Sequence, residues 1–193
     1  TDIAPAPTLL MEIHSAHAET LEADIAIVRE ICEEAGALSF RATSDAGERK
    51  TLWNARHHAY ETLQRNHPGQ KIFIMDVSVP ISAYPDLIGG ARQIIDAHGI
   101  TGYMKGHAGD GNIHVELPYG DPATFAKVKA VNGAIVHKAL ELGGTATGEH
   151  GVGIGKAPYM RAEHGEALDV MRAIKQTLDP LGILNPGKVF PAE

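Results

Sequence analysis

The sequence is short of several things, and each shortage removes a class of protein. It holds one cysteine, Cys32, in 193 residues, so no internal disulfide can form. Cys32 falls in an apolar-periodic stretch and reads as a small core hydrophobe. A lone thiol also fits a reducing compartment. No apolar run approaches the roughly 18 residues of a membrane span. Cationic excess is missing too: the formal net charge is -7. That argues against nucleic acid, or an anionic membrane surface, as the main partner. No initiator methionine, signal peptide or tag opens the chain. Residues 1–7 (TDIAPAP) read as a linker entering a strand, and the chain reads as a piece of something longer. No internal repeat, low-complexity tract or second domain boundary stands out, so residues 1–193 read as a single domain with one core.

What is there is an alternation of strands and helices. Strands are expected at 8–16, 37–44 and 71–79, the last ending at Pro80. A helix over 18–35 places Leu21, Ile25, Val28 and Cys32 on one side, with Gly36 as its stop. Asp45 is placed to cap a second helix running to about Gln64. Further helices are expected at 83–98, 122–142 and 158–178, with Asp179-Pro180 stopping the last. The pattern predicts an α+β domain: a ferredoxin-like, antiparallel-rich sheet with helices mainly on one face, plus a C-terminal helical segment.

The chemistry gathers in two glycine-rich stretches. In KGHAGDGNIHVE (105–116), Asp110-Gly111 signals a two-residue hairpin turn. With those two as the loop, His107 faces His114 on one side of the sheet, Cβ atoms about 5 Å apart. GEHG (148–151) adds Glu149. His107, His114 and Glu149 then form a two-histidine, one-carboxylate set with an open coordination position. The set suits zinc, manganese or iron(II). The bland alternative is two hydrogen-bonded surface histidines and a solvated loop carboxylate. His150, next to Glu149, diverges from any ion held there. It is placed as a general base or is merely exposed. Arg49 and Arg56 are seven apart on a predicted helix, and either fork would suit a carboxylate; a solvated helix face is the plainer reading. His57, His58, His67, His98, His137 and His164 read as surface or structural residues.

Other motifs fail. GVGIGK (151–156) lacks the Walker spacing: His150 stands where the first glycine belongs, and Ala157 follows Lys156 where Ser or Thr should be. Nor does it open a dinucleotide-binding unit, because a helix precedes it. Its glycines would let the backbone pass close to a ligand. No HExxH helix supports a metal-dependent hydrolase, the competing use of the same ligands.

GHAGDGNIHVEL, GGTATGEHGVGIGK and DPLGILNPGKVF together resemble the C-terminal, cap domain of the FAD-linked oxidases of the vanillyl-alcohol oxidase superfamily. WNARHHAYETL followed by DVSVPIS resembles the D-lactate dehydrogenase branch most, with the glycolate oxidase FAD subunit and D-2-hydroxyglutarate dehydrogenase also similar. The resemblance runs from about Trp53 to Phe190. It implies that His107, His114 and Glu149 bind a divalent metal, zinc or manganese. His150 would be the catalytic base, and Arg56 would grip the substrate carboxylate. Asn112 would contact substrate or flavin. Asn185 and Lys188, in the tail 180–193, would lie near the flavin domain. One departure matters: Ile74 stands where the hydroxyglutarate branch has a lysine for a distal carboxylate, which favours a short monocarboxylate.

The resemblance implies a function. The chain would be the substrate and metal domain of an FAD-dependent D-2-hydroxyacid dehydrogenase, oxidising D-lactate to pyruvate. Glycolate-type and hydroxyglutarate-type enzymes are the near alternatives, and a stand-alone metal-dependent 2-hydroxyacid-binding module is the alternative of another class. The FAD-binding domain is absent from this chain and is its expected partner, so the isolated domain is expected to be inactive. A homodimer is compatible with it, and the electron acceptor is unspecified. The expected location is cytoplasmic, or peripheral to an energy-transducing membrane.

Overall fold

The computed structural model describes residues 6–190. They fall into two compact units that part between Asn66 and His67, and each is described by itself. Most of the expected linker, residues 1–5, lies outside the described residues, as do residues 191–193 of the tail.

The N-terminal unit is helical: α1 (Ala18–Glu34), α2 (Ala46–His57) and α3 (Ala59–Asn66). Leu21, Ile25, Val28 and Cys32 are half-buried along one side of α1, as the periodicity predicts, while Ile27 and Ile31 on its other side are exposed. Asp45 caps α2 by accepting the Glu48 N–H at 2.8 Å. Two expectations change here. The helix does not run unbroken to Gln64. It kinks at His58, which leaves helical geometry at φ -94°, ψ 16°, with no proline or glycine to announce it. Nor do 8–16 and 37–44 form strands. Neither pairs with any segment among the described residues, and Leu9, Met11 and Leu38 are exposed. Apolar alternation makes a strand only where a neighbour takes up its backbone groups.

The C-terminal unit holds the sheet. Strands β1 (Lys71–Ser78), β2 (Tyr103–His107) and β3 (Asn112–Tyr119) are arranged β1-β3-β2, with β3 central and both pairings antiparallel. Helices α4 (Tyr84–Ala97) and α5 (Pro122–Glu141) pack on each other and cover one face. That face supplies the core: Met75 and Val77 from β1, Ile113, Val115 and Leu117 from β3. They meet Leu87, Ala91 and Ile95 of α4, spaced by four, and Val128, Val131, Ile135 and Val136 of α5. Asp121 starts α5 by accepting the Ala123 and Thr124 N–H groups, each at 2.9 Å. The α+β class, with an antiparallel sheet and helices on one face, is therefore what the sequence predicts.

The last helical stretch is two helices, α6 (Met160–His164) and α7 (Ala167–Leu178), not one. Gly165 separates them at φ 53°, ψ -133°, a conformation open to glycine and few others. A lone glycine inside a helical pattern is often tolerated, and so the sequence does not mark this break.

The hairpin departs from expectation in an informative way. Its loop is four residues long, a 3-10 turn over Ala108–Asp110 followed by Gly111, not the two residues Asp110-Gly111. His107 therefore pairs with Asn112, and Lys105 with His114. The reason lies outside the hairpin. Gly111 sits at φ 66°, and a Cβ there would fall 1.9 Å from the Val79 carbonyl oxygen. Its own carbonyl accepts the Val79 N–H at 2.9 Å. The glycine serves a close crossing with the end of β1 rather than a tight turn.

Candidate functional site

The face of the sheet opposite the core is polar, and strand alternation puts it there. Side chains at every second position share a face. Asp76 and Ser78 of β1, Asn112, His114 and Glu116 of β3, and Lys105 and His107 of β2 form adjoining rows. Lys105, His114 and Asp76 lie across one row; His107, Asn112 and Ser78 lie across the next. Lys105 and Glu116 are paired at 2.5 Å.

His107 and His114 share this face although they are not opposed. The observed register differs from the expected one by two residues, and a shift of two preserves the face. The rings meet edge to face, with centroids 5.8 Å apart. The glycine-rich loop 143–156 supplies the third member. It is stitched to β1 at Thr145, whose N–H reaches the Ser78 carbonyl at 2.8 Å, and it brings Glu149 to His114. Glu149 Oε1 lies 3.2 Å from His114 Nε2. His107, His114 and Glu149 thus offer ligand atoms all within 4.8 Å of one another.

His150 stacks on His114, with centroids 5.1 Å apart and planes 14° from parallel. The two imidazoles are bracketed by two carboxylates. Each Nδ1 faces Asp76, at 3.3 Å for His114 and 3.7 Å for His150. Each Nε2 faces Glu149 Oε1, at 3.2 Å and 3.8 Å. Burial holds His114 below the usual histidine pKa. Asp76 and Glu149 oppose that shift, while the neighbouring His150 and His107 add to it. The neutral imidazole is the form that ligates a metal.

The donor set fits a divalent ion. Tetrahedral zinc with ligands near 2.1 Å needs donor atoms roughly 3.4 Å apart, close to the 3.2 Å between His114 Nε2 and Glu149 Oε1. The chemistry of two imidazoles and one carboxylate suits zinc or manganese.

Two residues of the site escape a reading of the sequence for motifs. Asp76 is 1% exposed, and its signal is a carboxylate between Met75 and Val77 in an otherwise apolar strand. Lys156 reaches down from the loop, and its Nζ donates to the Asp76 carbonyl at 2.9 Å. Its pKa is lowered to about 8, chiefly by burial, against the pull of Asp76 and Glu163.

The remaining candidates are not members of this ligand set. Asn112 is buried, and its Nδ2 donates to Asp76 Oδ1 at 2.5 Å, so it borders the cluster. Asn185 and Lys188 lie in the tail, which closes on the loop where the Val189 N–H meets the Gly153 carbonyl at 2.8 Å. Arg56 belongs to the N-terminal unit, half-buried on the last turn of α2. Arg49, on the same helix, is 3.8 Å from Glu12.

Comparison with known proteins gives this geometry its setting. The family model described as "FAD linked oxidases, C-terminal domain" matches residues 3–189. The chain belongs to that family. A probable mitochondrial D-lactate dehydrogenase of Danio rerio is 37% identical over 97% of this chain and 38% of its own length. A mitochondrial D-lactate dehydrogenase (cytochrome) of Arabidopsis thaliana is 38% identical over 98% of this chain and 34% of its own length. The glycolate oxidase subunit GlcD of Bacillus subtilis is 37% identical over 89% of this chain and 37% of its own length. This FAD-linked oxidase domain therefore spans little more than a third of the length of these relatives. Among the described residues, no helix is long and apolar enough to cross a membrane.

Proposed function

We propose that residues 1–193 are one substrate- and metal-binding domain of an FAD-dependent D-2-hydroxyacid dehydrogenase that oxidises D-lactate to pyruvate. The observation that carries the reading is the meeting of His107, His114 and Glu149 on one face, with His150 stacked beside them. The names of the relatives supply the reaction class.

His107, His114 and Glu149 would hold the divalent ion. When bound, the ion would supply Lewis-acid polarisation of the substrate hydroxyl, and the flavin of the partner FAD-binding domain would supply the hydride acceptor. His150 takes the hydroxyl proton. Its ring is half-exposed. Arg56 binds the carboxylate with its fork and orients C2. Asn112 borders the site, while Asn185 and Lys188 face the flavin domain. Ile74 lies on the polar face one row beyond Asp76 and is partly exposed. An apolar side chain there suits a short substrate better than a second carboxylate.

The test is flavin bleaching in the full-length protein with D-lactate, L-lactate, glycolate and D-2-hydroxyglutarate. Fast reduction by D-lactate alone supports the reading. Preference for glycolate or for hydroxyglutarate moves the protein to the neighbouring branch. Binding of hydroxy acids without flavin reduction makes it a binding module.

A further inference from the structure

We propose that Asp76 is the positioning residue of this site: through one buried carboxylate it holds the loop residues Glu149 and His150 in place and orients the ring of His114. What is positioned rests on the metal-dependent reading above; the anchoring does not.

The argument begins with the acceptor capacity of the carboxylate. An ionised aspartate offers about four lone-pair directions, and a buried one needs them filled. Oδ2 accepts the backbone N–H of Glu149 at 2.6 Å and of His150 at 2.9 Å. Oδ1 accepts Asn112 Nδ2 at 2.5 Å and faces His114 Nδ1 at 3.3 Å. Three of those directions are filled by hydrogen bonds, and His114 Nδ1 stands at the fourth without an aligned one.

That decides between two roles. Asp76, His114 and His150 also lie close enough together to suggest a cation set of their own. A carboxylate that already accepts three hydrogen bonds and is 1% exposed has little left to offer an ion. Asp76 acts through its neighbours.

His114 Nδ1 has no aligned hydrogen-bond partner of its own, and Asp76 is the acceptor it faces. A proton on Nδ1, drawn toward Asp76, leaves the lone pair on Nε2, the nitrogen turned to Glu149. Carboxylates behind ligating histidines act in this way. The loop is shaped to make the contact. Gly148 sits at φ 51°, and a Cβ there would lie 2.3 Å from the Asp76 carboxyl carbon. The far end of the loop is tied to the same residue, where Lys156 meets the Asp76 carbonyl.

The test uses the full-length protein with Asp76→Asn and Asp76→Ala, and His107→Ala as control. Two quantities are read: amide hydrogen exchange after chelation, and zinc affinity by competition with a chelating dye. Exchange at Glu149 and His150 should rise about 10-fold or more in Asp76→Ala and less in Asp76→Asn, since a neutral acceptor is about half as strong. Exchange over Ile113–Leu117 should not change. Zinc affinity should fall by about 10- to 100-fold. Unchanged exchange at 149 and 150 in both variants overturns the proposal. So does acceleration spread equally through β3, which would make Asp76 a structural residue only. If Asp76→Ala does not fold, Asp76→Asn decides. A loosened loop in a protein that never binds zinc would uphold the anchor and sink the metal reading. Zinc binding lost in His107→Ala and kept in both Asp76 variants would sink the orienting role and uphold the metal.

Discussion

His107 and His114 are diagonal neighbours across β2 and β3, and their rings meet edge to face at 5.8 Å. Neither ring opposes the other in the ladder, since His107 pairs with Asn112. The diagonal places both on the polar face within reach of Glu149. Replacing both by alanine should abolish bound zinc or manganese in the purified protein and leave the core intact. Metal analysis of parent and variant, with thermal unfolding as control, checks this. Equal metal in both would remove the hairpin from the site.

His150→Asn should keep metal and nearly abolish flavin reduction in the full-length protein. General-base removal costs about 10²- to 10⁴-fold. Stopped-flow bleaching of the flavin absorbance gives the readout. Reduction at the parent rate would take the base role from His150.

Gly148→Ala sets backbone strain against function. A left-handed residue with a Cβ costs about 1–2 kcal/mol, and here the new atom also collides with the Asp76 carboxyl. The loop should lift from β1. Activity should fall much further than the melting temperature, because the sheet and its helices do not depend on residue 148. A variant that loses stability without losing activity would contradict this account.

Lys156 gives a pH-dependent prediction whose sign is fixed by its lowered pKa. The folded value of about 8 lies below the ordinary lysine value of 10.5. Between those values the unfolded chain holds more protons on this group, so its contribution to stability rises with pH across that window and is flat below it. Denaturant unfolding at about pH 7.5 and about pH 10 should show the parent gaining on Lys156→Met at the higher pH. No differential gain would mean that the amine is hydrated in solution.

Much of this was legible in the sequence, for physical reasons that particular residues show. Periodicity placed α1, whose Leu21, Ile25, Val28 and Cys32 are half-buried along one side, and α4 and α5 stand close to the helices expected at 83–98 and 122–142. The strand 71–79 was readable up to its stop at Pro80, and the two arms of the hairpin from the Asp110-Gly111 turn signal between them. The strands expected at 8–16 and 37–44 were not formed, since pairing depends on a neighbour that no local pattern specifies. The grouping of His107, His114 and Glu149 was anticipated from a hairpin that puts both histidines on one face and from a glycine-rich loop that folds back over the sheet. The expected opposition of the histidines was wrong in register and right in face, since the period of a strand is two. Asp76 and Lys156 were missed as members of the site: a single carboxylate and a single amine have no spacing to read. Their roles appear only when the loop folds onto the strand.

Strand β3 is buried from Asn112 to Pro118, with Ile113, Val115 and Leu117 on the core side and Asn112, His114 and Glu116 on the polar side. Two selective pressures are therefore interleaved one residue at a time along a single segment. In a saturation scan scored for both cellular abundance and growth on the substrate, this stretch should alternate. Odd positions should register as loss of protein, and even positions as intact protein that no longer supports growth.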